Sequence, residues 1–217
     1  NNVSVKAQSK PVEFKNIDEK SLFLNIYSRI YTDNEDFKNV FNWFINTNFL
    51  DFGNPEFEAF MTNVIRPNFL LKLLKDDKYK KEFLKFINIF ETQIYGIKIS
   101  PNQIDKVQDV KDIKIEFEHK NKNGQIMLLP LELESSGTIK MINMFDFLIT
   151  ALNRGMILFI DELDAKLHPL LTKYVINLFH NNEINIANGQ LIYSTHDTVN
   201  LNKETFRRDE IWFTEKD

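Results

Sequence analysis

Apolar residues in the first half of the chain recur at helical spacing. Phe37, Val40, Phe41, Phe44 and Ile45 fall at i, i+3, i+4, i+7 and i+8, and Phe57, Phe60, Met61, Val64 and Ile65 repeat the pattern. Two amphipathic helices in succession follow from that period. Asp51-Phe-Gly-Asn-Pro55 reads as the turn between them, and Arg66-Pro67 ends or kinks the second. A third helix is expected over Lys78–Glu91. The run Ser21–Glu91 is thus predicted to be helical and packed on its own apolar faces, with the stripes as core.

The period changes near Lys111. Ile113, Ile115 and Phe117 alternate with Lys114, Glu116 and Glu118, and Gln125–Leu133 answers across Asn121-Lys-Asn-Gly124. Alternation on both sides of turn chemistry predicts a β-hairpin. A helix follows from Gly137 to Asn153, with Gly155 placed as its C-terminal cap. Then come a strand at Met156–Ile160, a helix opened by Pro169, a strand at Gln190–Ser194 and a last strand at Glu210–Thr214. Short apolar strands alternating with helices predict an α/β fold whose parallel sheet is covered on both faces. The domain reading is a lobe remnant over 1–20, a helical insertion over 21–110 and an α/β subdomain over 111–217.

Composition adds bounds rather than direction. The 217 residues carry a formal charge of -4, which leaves no global footprint for nucleic acid. There is no cysteine, so disulfides and thiolate metal sites are excluded, as expected of a cytoplasmic protein. No apolar run reaches the length of a membrane span, and no membrane partner is expected. The first residues show no secretory leader, and the chain is expected to start inside a longer protein.

Candidate chemistry is concentrated where the strand Met156–Ile160 ends. Asp161, Glu162 and Asp164 place three acids within four residues after a buried run. Like charges that close need a cation or water among them. Ligands of parallel sheets bind beyond the carboxyl ends of the strands, and Thr195-His196-Asp197 ends a second strand. An Asp after an apolar strand is how nucleotide hydrolases hold Mg2+ on the phosphates of ATP, and a Glu beside it is placed to take a proton from water. A two-metal nuclease built on the three acids is the rival chemistry. His119 and His180 stand alone and read as structural, and His168 reads as a loop residue beside Pro169.

Four pieces taken in order carry a family likeness: Glu134-Ser-Ser-Gly-Thr138 opening a helix, MILFIDE, LDAKLHP and STHD. In order and spacing they resemble the second half of the ATP-binding-cassette (ABC) ATPases. The nearest likeness is to the AAA-type, SMC/RecF-like branch similar to the overcoming-lysogenisation-defect enzymes of abortive-infection and phage-defence systems. The resemblance implies a P-loop NTPase fold with a helical insertion subdomain, and ATP and Mg2+ as cofactors. It makes Asp161 the Walker B magnesium residue, Glu162 the general base, Asp164 a dimer-contacting D-loop residue and His196 the switch histidine. Ser135 and Gly137 match the signature motif, which binds the γ-phosphate of ATP held by a second protomer. The Ser-Gly at 136–137 departs from the usual Gly-Gly. The implied partners are that second protomer and an effector nuclease or DNA.

One element is missing from the sequence. The six glycines supply no G-x-x-x-x-G-K-[ST] segment, the loop that cradles the β- and γ-phosphates. Two readings follow: an ATPase whose P-loop lies on residues outside this sequence, so that the 217 residues alone are inactive, or a non-catalytic dimerisation module of an ATPase complex.

Overall fold

A computed structural model describes residues 3–6, 11–14, 35–63, 67–99, 115–121 and 123–214. They fall into two compact units, Asn1–Asn46 and Thr47–Asp217. The first contains an antiparallel pair, β1 (Val3–Lys6) and β2 (Pro11–Phe14), and the helix α1 (Glu35–Ile45). The stripe on α1 was expected to be core, yet Val40, Phe44 and Ile45 are 49%, 53% and 57% exposed.

The second unit is built on a parallel three-stranded sheet of order β3-β7-β8, with β3 Thr47–Asp51, β7 Ile157–Asp161 and β8 Gln190–Tyr193. β3 lies inside the stretch read as helical. It is too short to show a period, and it forms because it pairs along its whole length with β7. Only one face of the sheet is fully covered among the described residues. Leu50, Leu158 and Ile160 on that face are at most 1% exposed, whereas Phe49 and Ile192 on the other are 57% and 41% exposed. Among the described residues the second face thus stays partly open, since strands apolar on both faces are buried only where something packs on each.

A second sheet is antiparallel, of order β4-β5-β6 (Ile94–Ile99, Ile115–Lys120, Ile126–Pro130). β5 and β6 are the predicted hairpin, with Gly124 at φ 80° in its turn. Residues 111–114 of the expected first strand lie outside the described residues. The expected strand at Glu210–Thr214 does not form. Arg208–Glu210 is a single 3-10 turn, and Trp212 and Phe213 beyond it are 87% and 84% exposed. An apolar stretch without a neighbour to pair with has no ladder to make it a strand.

Helices α2 (Pro55–Asn63) and α4 (Asp77–Asn88) match the second and third predicted helices, although Val64 and Ile65 lie outside the described residues, while α3 (Pro67–Lys75) between them is a further helix to which the sequence reading gave no separate place. Pro67 opens α3, where its missing N–H costs nothing. Asp76 caps α4 by accepting from the Lys78 and Tyr79 amides. These helices do not pack on one another alone. Phe69, Tyr79, Phe83 and Phe86 all turn their rings onto Phe145 of α5 (Ser136–Arg154), which runs through the centre of the core. α6 (Pro169–His180) then leads to β8.

Gly155 ends α5 in the left-handed region at φ 67°, its N–H bonded to the Ala151 carbonyl. A Cβ there would lie 2.4 Å from the Ala187 carbonyl oxygen. Gly155→Ala is therefore expected to cost the ~1–2 kcal/mol of left-handed strain plus a backbone displacement. A urea midpoint unchanged from the wild type would contradict this account of the cap.

Candidate nucleotide site

The parallel sheet brings two strand ends together. β7 delivers Asp161, and the chain turns at Glu162, a non-glycine residue held at φ 52°. β8 runs alongside and delivers Ser194 and then His196. Glu162 and His196 lie on the same edge, with the Glu162 Oε1 3.9 Å from the His196 Nε2. The imidazole is 86% exposed and the carboxylate 40%, so the pair is open to water and to a ligand. Asp164 closes the group, its Oδ1 accepting from the His196 backbone N–H at 3.3 Å.

Ser194 joins the two strand ends, a role that the sequence reading did not assign. Its hydroxyl donates to Asp161 Oδ1 and accepts from the Glu162 N–H at 2.9 Å. Its carbonyl accepts from the Leu163 N–H at 3.1 Å. The signal was present as the first letter of STHD, where a serine at a strand end looks like ordinary surface. With Oδ1 engaged, Asp161 Oδ2 has no protein hydrogen bond among the described residues. No three His, Asp or Glu side chains converge to hold a metal by themselves among those residues. A lone carboxylate on an open edge fits Mg2+, which one or two carboxylates hold together with substrate phosphates.

The second cluster lies at the start of α5. Ser135 is the N-cap: its hydroxyl accepts from the Thr138 N–H at 3.1 Å and lies 2.8 Å from the Thr138 hydroxyl. A Cβ on Gly137 would sit 3.0 Å from the Lys166 carbonyl oxygen, so the absence of a side chain lets the helix start abut the turn that follows Glu162. Glu134, just ahead of the cap, meets His119 of β5 at 2.6 Å, with the two side chains 4% and 12% exposed. His119, read as a lone structural residue, thus anchors the approach to α5. His168 caps α6, its Nδ1 accepting from the Leu170 N–H at 3.2 Å. A groove of about 500 Å³ runs beside the helix start, lined by Ser135, Gly137, Thr138, Lys166, His168 and Leu170 among others.

Lys140, one turn into α5, ties the clusters together. Its ammonium is buried and donates to the carbonyls of Glu162, Leu163 and Ala165 at 3.1, 3.0 and 2.7 Å. Burial lowers its pKa from 10.5 to about 8, against the attraction of Glu58, Asp164 and Glu162. Between about pH 8 and 10.5 the unfolded chain therefore holds a proton that the folded chain does not. In that window this group makes stability rise with pH, as the cost of a buried charge is relieved. Urea midpoints of the wild type and Lys140→Met across pH 7–10.5 should show the wild type gaining on the variant above pH 8. A constant difference across the window would refute the depressed pKa.

No curated protein and no solved structure matches this chain significantly. A protein-family profile does, over residues 18–202, under the description "AAA domain, putative AbiEii toxin, Type IV TA system". No helix among the described residues is long and apolar enough to cross a membrane. Asp161, Glu162, Ser135, Gly137 and Lys140 all fall within the matched span, along with the parallel sheet that carries the site. The chain belongs to this AAA-domain family of P-loop NTPase-like, nucleotide-binding ATPases.

Proposed function

We propose that the protein is an ABC-type ATPase of the SMC/RecF-like branch, close to the overcoming-lysogenisation-defect enzymes, whose ATP-dependent dimerisation drives a conformational switch. Its setting is a prokaryotic defence or DNA-associated complex in the cytoplasm, with an effector nuclease or DNA as the further partner. In this reading the P-loop comes from chain outside the sequence. Asp161 offers its free oxygen to Mg2+, which when bound neutralises phosphate charge. Glu162 takes the proton of the attacking water, and His196 reports the γ-phosphate from the neighbouring strand end. Ser135 and Gly137 present the start of α5 to ATP held by a second protomer, with Asp164 at the protomer contact. Backbone N–H groups at a helix start favour an anion there.

The observation that carries the reading is the meeting of Glu162 and His196 at 3.9 Å on the edge where two parallel strands end. A base and a γ-phosphate sensor must share a ligand, and these two side chains are placed to do so. The rival two-metal nuclease draws less support. Asp164 is turned to the His196 amide, and no carboxylate trio converges among the described residues. The lack of a G-x-x-x-x-G-K-[ST] segment in these 217 residues keeps open the other alternative, a dimerisation module without catalysis.

Phosphate release, apparent mass and DNA strand cutting by the full-length protein, each with and without MgATP, separate the three readings. The ATPase reading expects magnesium-dependent turnover that Asp161→Asn abolishes. ATP-driven assembly without turnover would leave the dimerisation module. Strand cutting indifferent to ATP would favour the nuclease.

A further inference from the structure

Lys140 is a buried cation in an apolar helix, between Ile139 and Met141, and none of the site roles above uses it. Long cations are rarely buried unless paired, and the partners here are unusual. All three hydrogen-bond acceptors are main-chain carbonyls of one turn, those of Glu162, Leu163 and Ala165. The ammonium also sits 4.0 Å from the centre of the Phe52 ring, which follows β3. The turn it holds is strained at both ends, with Glu162 at φ 52° and Lys166 at φ 60°. Non-glycine residues stay in that region only where the surroundings over-determine them.

Three converging charge-assisted hydrogen bonds are such surroundings. We infer that Lys140 is a positioning residue: its ammonium fixes the Glu162–Ala165 turn against α5, so that the start of that helix and the Glu162 carboxylate move as one body. The close approach of Gly137 to the Lys166 carbonyl is the second point of contact between the same helix and the same turn. An anion arriving at the helix start would therefore be felt at Glu162 without any contact between them. This inference rests on the proposed ATPase reading for its effect on chemistry, but the grip on the turn stands on geometry alone.

The chain contains no cysteine, which permits a test by chemical rescue. Lys140→Cys introduces the one thiol of these 217 residues, and any cysteine in the rest of the full-length protein is first replaced by serine. Alkylated in denaturant with 2-bromoethylamine and refolded, it carries an ammonium on a side chain of lysine length. Capped instead with a propyl group through a disulfide, it carries a chain of similar length without charge. Two readouts are taken on the full-length protein. One is hydrogen exchange at the Leu163, Ala165 and Leu167 amides, each bonded within or across the turn. The other is single-turnover ATP hydrolysis measured beside the Kd for MgATP.

The neutral adduct should exchange at those amides about tenfold faster or more, the worth of one charge-assisted hydrogen bond. Its chemical step should be ~10²-fold slower, the effect of misplacing a catalytic group by about an ångström, at unchanged Kd. The aminoethyl adduct should restore both. Rescue by both adducts alike would mean that Lys140 only fills space, and would overturn the inference. A wild-type protein without hydrolysis would sink the ATPase reading, while exchange at the three amides would still decide whether the ammonium holds the turn.

Discussion

In the full-length protein of the proposed ATPase reading, Glu162→Gln should slow ATP hydrolysis by roughly 10²–10⁴-fold, the usual contribution of a positioned general base, and leave nucleotide binding intact. Gln keeps the size and hydrogen-bonding reach of the side chain but cannot take a proton. The Ser194 hydroxyl and the Lys140 ammonium bond only to main-chain atoms of Glu162, its N–H and its carbonyl, so the turn survives the change. Asp161 keeps its free oxygen, and the magnesium requirement for binding should persist. Steady-state phosphate release beside nucleotide affinity measures the two separately. A loss of affinity comparable to the loss of rate would mean that Glu162 holds the metal or the phosphates instead of acting on water.

The largest expected loss of stability lies away from the site. Phe145→Ala should destabilise the protein by ~3–5 kcal/mol, the usual cost of emptying a buried aromatic position. Phe145 is fully buried, with the rings of Tyr79, Phe83 and Phe86 centred 5.3, 5.1 and 5.1 Å away. Those rings come from α4, which the sequence placed in a separate helical body. If that separation were real, Phe145 would contact only its own subdomain, and the variant would leave α4 intact. The structure predicts a shared loss, read as a fall in the urea midpoint accompanied by faster exchange at the Phe83 and Phe86 amides. A cost under about 1 kcal/mol, below the lower bound for Phe→Ala, would contradict the ring cluster.

Much of this was legible in the sequence, for physical reasons that differ between elements. α5 could be bounded at both ends because Ser135 and Gly155 carry cap chemistry in one position each. β7 and β8 could be paired because each apolar run ends in polar residues, which brought Asp161, Glu162 and His196 to one edge. β3 was missed because Thr47–Asp51 has one fully buried residue, Leu50, and so no period. Ser194 and Lys140 were missed for another reason. Their partners are 33 and 25 residues away at most in the chain, and main-chain carbonyls leave no mark on a sequence. Trp212 and Phe213 misled in the opposite sense: they have the residue types of a strand and lack the neighbour that would make one.

In the proposed reading, Glu162 acts on ATP that a second protomer grips through the start of its own α5. Static light scattering of Glu162→Gln, with and without saturating MgATP, tests it most directly. Unhydrolysed ATP should hold two protomers together, doubling the apparent mass, and adding Ser135→Arg should return it to the monomer by blocking the helix start. A Glu162→Gln protein that stays monomeric at saturating MgATP would contradict the account.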